Sequence, residues 1–179
     1  KVALAVPFYG HFTVEHNRGH HKWVATPDDP ASSRLGESIY KFATRELWLT
    51  FIRGISLEKS RLARQKKSFW STDNHVLQSY ALSLIIQGSL VWFFGAMTFL
   101  FLALHNVFAW FQLTSANYIE HYGLLRDQVS ENRYESCKPH HSWNSNHILS
   151  NLTLFNLERH SDHHANPTRS YQSLRDFPD

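Results

Sequence analysis

The sequence predicts an all-α protein, a polytopic membrane helix bundle with cytoplasmic helical segments at one end. Three observations predict this class. A stretch near the middle of the chain, residues 76–119, contains no Asp, Glu, Lys or Arg, although the chain as a whole has a negative mean hydropathy. A cluster of basic residues stands shortly before that stretch. Thirteen histidines, many of them clustered, lie mostly on either side of it.

The charge-free stretch is long enough to cross a membrane twice. A spanning helix needs roughly 20 apolar residues. As a single helix, residues 76–119 would be about 66 Å long at roughly 1.5 Å per residue, twice the thickness of the hydrocarbon layer. We therefore predict a transmembrane hairpin over residues 76–119 that turns near Gly95. The alternative is a buried hairpin in a soluble protein, but soluble helices rarely run this long without charge.

The segments around the hairpin are more polar. Residues 37–67 are predicted to form a helix that lies on or beside the membrane, with Ser32 or Ser33 as its cap. Residues 2–14 are predicted to form the end of another membrane span. The positive-inside rule places the end of the hairpin that follows the basic cluster in the cytoplasm. The cluster consists of Lys59, Arg61, Arg64, Lys66 and Lys67.

The predicted organisation is a single domain over residues 1–179. Residues 76–119 form the hairpin, and residues 10–67 and 120–179 form cytoplasmic helical and loop segments. The chain opens without Met inside an apolar run, so we expect a C-terminal fragment of a longer protein.

One cysteine excludes an internal disulfide framework and a cysteine-based zinc site. The pI of about 9.1 suits a membrane surface, and without an RNA-binding signature or phosphate loop we expect no nucleic-acid partner.

Seven histidines have the spacing of metal ligands. Imidazole is a common metal ligand, and rings three or four residues apart on a helix point toward one ion. Two clusters of the form H-x(2,3)-H-H in one short chain are a specific signal, and seven imidazoles exceed what one tetrahedral ion takes. The sequence therefore predicts two metals. The N-terminal box is His16, His20 and His21, the C-terminal box is His160, His163 and His164, and His121 lies between them.

The two histidine boxes can meet at one site only if the chain crosses the membrane twice between them. The two boxes lie on opposite sides of the charge-free stretch, and two crossings return the chain to the same face of the membrane. His105 lies in the middle of the second span, so we expect an interhelical hydrogen bond there and no ligation. We expect His147 to make a polar contact near the site.

Three carboxylates adjoin the predicted ligands. A metal-bound imidazole usually donates its second N–H to a carboxylate or carbonyl. Neighbours in a helix point about 100° apart, so each carboxylate is expected to serve a ring from another box. Simple surface charge is the alternative. These candidates are Glu15, Glu120 and Asp162.

Several motifs resemble those of a known family. Residues 15–21, 117–124 and 157–165 are similar to the second histidine box, the N-Y-x-E-H-Y-G-L motif and the third histidine box of the bacterial alkane 1-monooxygenase family, within the histidine-box membrane desaturase and hydroxylase superfamily. The resemblance implies a helix bundle with a cytoplasmic cap carrying the boxes. It implies two non-haem iron ions held by the seven histidines, with no catalytic group beyond these ligands. The first histidine box of that family has no counterpart here.

The resemblance also implies an activity and partners. Such an enzyme hydroxylates the terminal methyl of medium-chain n-alkanes to 1-alkanols with O2, in the bacterial inner membrane, with its site on the cytoplasmic side. Electrons come from rubredoxin, which a flavoprotein reductase reduces. Rubredoxin is acidic, and two roles stay open for Arg61, Arg64, Lys66 and Lys67: docking of rubredoxin, or positive charge that only sets the topology. Aromatic residues of the hairpin are candidates for lining a substrate path: Trp92, Phe93, Phe94, Phe99, Phe101, Phe108, Trp110 and Phe111.

Other functions remain open from the sequence. The nearest is a related membrane di-iron enzyme, such as a xylene-type monooxygenase or a fatty-acyl desaturase or hydroxylase. A non-catalytic membrane metal-binding or transport protein belongs to another class. Transport favours ionisable residues inside the spans, and only His105 lies there.

Overall fold

The computed structural model describes residues 2–131 and 133–177, and these are mostly helical. The first half of the chain contains α1 (Val2–Ala5), α2 (Phe12–Glu15), a π-helix (His16–His20), α3 (His21–Trp23) and α4 (Ile39–Arg64). Two long helices follow, α5 (His75–Phe94) and α6 (Met97–Glu120). The remainder contains β1 (Gln128–Ser130), β2 (Arg133–Tyr134), α7 (Ile148–Thr153), α8 (His160–Ala165) and two 3-10 turns (Pro139–His141 and Tyr171–Ser173). The all-α class is confirmed, with one short antiparallel strand pair added to it.

The chain forms two compact units. The first consists of the residues up to His20 together with Ala43–Ser115. The second consists of His21–Phe42 together with the residues from Ala116 onward. Each unit carries part of the predicted site.

The helices α5 and α6 are long and apolar enough to cross a membrane. They have 20 and 24 residues, and only 17% of the most apolar window of each is buried within the protein. Asn74 caps α5 by accepting hydrogen bonds from the N–H groups of Val76 and Leu77. The helix ends at Gly95, where a φ of 86° favours glycine. The chain therefore turns where the charge-free stretch predicted it to turn.

A pair of amides forms the polar contact between the two long helices. The Gln87 side chain on α5 donates to Asn106 Oδ1 on α6 at 2.9 Å, and also to the Val6 carbonyl at 2.7 Å. His105 instead contacts its own neighbour Asn106, at 3.4 Å within α6. The interhelical hydrogen bond that the sequence predicted for His105 is therefore made by Asn106.

The helix before the hairpin is shorter than the sequence predicted. It begins at Ile39, and the Ser38 hydroxyl accepts from the Lys41 N–H at 3.4 Å. Ser32 and Ser33, the predicted caps, have other roles: Ser32 Oγ accepts from the Ala25 N–H, and Ser33 Oγ donates to the Tyr118 carbonyl. These bonds order the turns that precede α4.

Buried carboxylates on α4 hold the first unit together. Glu58 is fully buried and accepts from Arg18 at 2.7 Å, from Arg61 at 2.6 Å and from the His75 N–H at 2.6 Å. Glu46 is also fully buried and accepts from the Thr114 hydroxyl at 2.6 Å. A buried carboxylate is costly unless its oxygens are paired. Glu58 therefore ties the π-helix and the start of α5 to α4.

We predict that Glu58→Gln destabilises the protein by on the order of 2–3 kcal/mol at pH 7, because it removes the charge from a buried cluster. Burial opposes ionisation of Glu58, but the Arg61 side chain and the His75 N–H outweigh it and lower its pKa from 4.5 to about 2. The stabilisation is thus complete above pH 4.5 and is lost as the pH falls toward 2. Thermal unfolding in nanodiscs between pH 7 and pH 3 measures this. If the wild type and the variant lost the same amount of thermal stability as the pH falls, the prediction would be contradicted.

Candidate metal centre

Three buried imidazoles converge in the second unit. His164 Nε2 lies 2.8 Å from His160 Nε2, which lies 3.3 Å from His121 Nε2. Each of the three residues is at most 2% exposed. Nitrogens bound to one ion at about 2.1 Å lie roughly 3.0–3.4 Å apart, so these spacings suit ligation of a single metal. The structure thus brings His121 together with two members of the C-terminal box.

Local structure aims these rings at one another. His121 directly follows the last residue of α6, and the chain then turns at Gly123, whose φ is 72°. His160 and His164 lie four residues apart on α8, which places both rings on one helix face. The Gly123 N–H donates to the Ser33 carbonyl at 3.0 Å and holds the turn.

Asp162 anchors α8 and contacts no imidazole in the described structure. It is fully buried and accepts from Arg169 at 2.6 Å, from the Arg175 N–H at 2.8 Å and from Asn166 at 2.9 Å. Burial works against ionisation of Asp162, but these donors lower its pKa below its ordinary value. The sequence predicted that Asp162 supports a histidine of another box. The structure instead places it between α8 and the C-terminal segment.

Glu120 does contact a ring from another box. Its Oε2 lies 3.3 Å from His160 Nε2, the nitrogen that faces the other two rings. The contact is therefore at the metal-facing nitrogen itself and not at the remote one. This makes Glu120 a further candidate oxygen donor at the same centre.

Two serines that the sequence did not single out support His121. Ser142 Oγ lies 3.5 Å from His121 Nδ1, a long hydrogen bond to the nitrogen that faces away from the centre. Ser161 Oγ donates to the Ser142 carbonyl at 2.7 Å, which ties α8 to this segment. A partner at the remote nitrogen sets the tautomer of a ligating imidazole. Ser142 and Ser161 belong to no recognisable spacing pattern, so the sequence could not indicate that they support His121.

His21 and His163 form a second contact in the same unit. Their ring centroids are 4.7 Å apart, and His21 is also 4.7 Å from His164. Both rings are partly exposed, unlike the three rings described above. A second group of imidazoles therefore lies beside the first in this unit.

The remaining histidines of the N-terminal box lie in the first unit. His16 and His20 bound the π-helix, with their rings stacked at a centroid distance of 5.2 Å. The sequence predicted an α-helix here, and the five-residue hydrogen-bonding step of a π-helix is a feature often found at functional sites. Glu15 is fully buried and accepts from Arg53 Nε at 2.8 Å. Arg53 therefore joins α4 to the residue beside His16.

Gly19 has no side chain, and the space this leaves beside the π-helix is occupied by the paired side chains of Glu15 and Arg53. A Cβ at this position would lie 2.8 Å from both Arg53 Nε and Glu15 Oε1, closer than real contacts allow. By contrast, a Cβ at Gly88 on α5 would meet nothing within 4 Å. A side chain at position 19 would therefore force the Arg53 and Glu15 side chains to shift.

We predict that Gly19→Ala destabilises the protein by about 1–3 kcal/mol, because the pair must separate or shift. The matched control, Gly88→Ala, is expected to be neutral or slightly stabilising because alanine favours a helix. Thermal unfolding of both variants in nanodiscs tests this. Equal stabilities of the two variants would show that the pair is not confined by Gly19.

A third group, Glu135, His140 and His141, also has its ligand atoms close together. However, His141 Nδ1 accepts from the Lys138 N–H at 3.0 Å, so Nε2 carries the proton and faces Glu135 at 3.2 Å. A metal at Nε2 would need that nitrogen deprotonated. The hydrogen bonds therefore assign this group to bracing the Pro139–His141 turn.

His147, predicted to make a polar contact near the site, is exposed.

Fold and site together define a membrane protein with a histidine-rich metal centre. The family model described as fatty acid desaturase matches residues 2–177, so the chain belongs to that family. It is 61% identical over 178 residues to an alkane 1-monooxygenase from Pseudomonas putida, covering 99% of this chain and 44% of the relative. It is 61% identical over 179 residues to alkane 1-monooxygenase 1 from Alcanivorax borkumensis, covering 100% and 44%.

A more distant relative is named for aromatic substrates and not for alkanes. The hydroxylase component of xylene/toluene monooxygenase from Pseudomonas putida is 26% identical over 174 residues, which is 96% of this chain and 46% of that protein. The chain spans about half the length of the curated relatives it matches.

Proposed function

We propose that this chain carries most of the metal centre of a membrane non-haem di-iron monooxygenase that converts medium-chain n-alkanes to 1-alkanols with O2. The observation that carries the proposal is the convergence of His121, His160 and His164 at 2.8 and 3.3 Å. The 61% identity to proteins named alkane 1-monooxygenase, against 26% to the xylene/toluene enzyme, favours an alkane over an aromatic substrate and over a double-bond product.

The donor set fits iron. Imidazole suits iron as well as zinc, copper and nickel, and a carboxylate such as Glu120 adds a harder oxygen donor. We propose all seven histidines as ligands of two iron ions. His16 and His20 are included because they belong with His21 to a box with ligand spacing.

The residues of this chain position the ions and keep water away. Iron, when bound, supplies the redox chemistry that activates O2. His121, His160 and His164 are buried, which limits solvent at the reacting centre. Ser142 orients His121 through Nδ1, and Asp162 holds α8 at the angle that keeps His160 and His164 converged.

We further propose the bacterial inner membrane as the location and rubredoxin as the electron donor. Basic residues before α5 support a cytoplasmic face for that end of the helix. Of the four proposed docking residues, Arg61 is bound to Glu58 and Lys67 pairs with Asp73 at 2.6 Å. Arg64 and Lys66 are exposed. These two residues are therefore the stronger candidates for an acidic partner.

We predict that His121→Ala in the full-length protein abolishes conversion of n-octane to 1-octanol and lowers the bound iron. His105→Ala is the matched control, because among the described residues His105 bonds to Asn106 and stacks on Phe101, both in its own helix. Iron content by elemental analysis and product by gas chromatography measure the two effects. Fully iron-loaded protein that gave no alcohol from alkanes of several lengths would refute the function.

We predict that the double variant Arg64→Glu/Lys66→Glu raises the apparent KM for rubredoxin about tenfold or more at low salt, with little change in kcat at saturation. Electrostatic docking mainly changes the encounter rate and is weakened by salt. The control is Lys41→Glu, an exposed lysine at the other end of α4. Equal effects of the control and the double variant would argue against docking at Arg64 and Lys66.

A further inference from the structure

An apolar cavity of about 690 Å³ lies in the first unit, alongside α4, α5 and α6. Its volume is within the roughly 300–1,000 Å³ of typical small-molecule sites. Among its lining side chains are Phe8, Tyr9, Trp48 and Trp110. Of the eight hairpin aromatics named as candidates for a substrate path, Trp110 lines this cavity, while Trp92 and Phe99 line a second one.

The cavity wall is held in place by its backbone. Phe8 has a φ of 56°, a left-handed conformation that costs a non-glycine residue about 1–2 kcal/mol. The turn is closed by the Tyr9 N–H, which donates to the Leu4 carbonyl at 2.8 Å. The Trp110 indole N–H donates to the Pro7 carbonyl at 2.7 Å, which fixes the ring. Phe8 and Trp110 are therefore pre-positioned.

One buried polar group interrupts this apolar wall. His11 lines the cavity, is 3% exposed, and bonds through Nδ1 to the Tyr80 hydroxyl at 2.7 Å. Its Nε2 is buried and has no hydrogen-bond partner within the described residues. An unsatisfied buried polar atom costs about 1–3 kcal/mol. A ligand that offered one hydrogen-bonding group at this point would remove that cost.

A continuous stack of rings connects the cavity to the N-terminal box. Tyr9, which lines the cavity, stacks on Phe12 with centroids 5.2 Å apart. Phe12 in turn stacks on His16 at 5.1 Å. The cavity therefore begins two ring contacts away from a proposed iron ligand.

We propose that this cavity binds a linear alkyl chain with one terminal hydroxyl, a primary alcohol, with the chain against the aromatic wall and the hydroxyl at His11 Nε2. The hydroxyl suits either tautomer of His11, because it can both donate and accept. An n-alkane fills the same wall but leaves Nε2 unpaired, so the site prefers the alcohol. The inference deepens the proposed function, on which it rests for the origin of the alcohol.

The test is quenching of tryptophan fluorescence in the full chain, reconstituted in lipid nanodiscs. The quenchers are 8-bromo-1-octanol, 1-bromooctane and 8-bromooctyl methyl ether, each compared at equal mole fraction in the lipid. Quenching should be saturable, and Trp48→Phe/Trp110→Phe should remove the saturable part. The alcohol is expected to bind about fivefold to tenfold more tightly than bromooctane, the gain from one buried hydrogen bond.

His11→Phe should remove this preference while leaving bromooctane binding unchanged, and His105→Phe, the same change outside the cavity, should leave both unchanged. Equal affinity of wild type for alcohol and bromooctane overturns the proposal even if His11→Phe does not fold. Non-saturable quenching, or quenching that survives loss of both tryptophans, shows membrane partition only and also overturns it. Selective alcohol binding in a protein that never hydroxylates alkanes would instead overturn the proposed function alone.

Discussion

The structure of the second unit depends on keeping three imidazoles close together without solvent. The Nε2 atoms of His160 and His164 are 2.8 Å apart, and each ring is almost fully buried. Lone pairs this close repel unless a proton or a cation lies between them, so the arrangement is stable only with such a bridge. The surroundings are built to hold it: the Gly123 turn, the Ser142 contact and the Asp162 anchor each restrain a different ring or helix.

The first unit faces a related electrostatic requirement, because its buried carboxylates also need positively charged or N–H partners. α4 carries fully buried carboxylates in a helix beside two apolar membrane helices. Glu58 is satisfied by two arginines and a backbone N–H, and Glu15 Oε1 accepts from Arg53. These bonds reach residues 15 and 18, on either side of His16. The same interactions that stabilise the fold therefore also position the N-terminal box.

The membrane setting gives the apolar surface two separate roles. Most hairpin aromatics, such as Phe93 and Phe94 at 77% and 74% exposed, present their rings outward, as suits contact with lipid. The inward wall near His11 instead uses residues of the turn before α2, including Phe8 and Tyr9.

The sequence by itself determined the helical class, the turn at Gly95 and the choice of histidines as candidate ligands, because hydropathy, charge and ligand spacing are local patterns. It also predicted a contact between Glu120 and a ring of another box, but the structure puts that contact at the metal-facing nitrogen of His160 and not at the remote one. Only the tertiary structure decided the π-helix at His16–His20, the partners of Asp162, the role of Ser142 and the cavity at His11. Each of these depends on a contact that local spacing does not encode, and a side chain such as Asp162 has several donors within reach until packing selects among them.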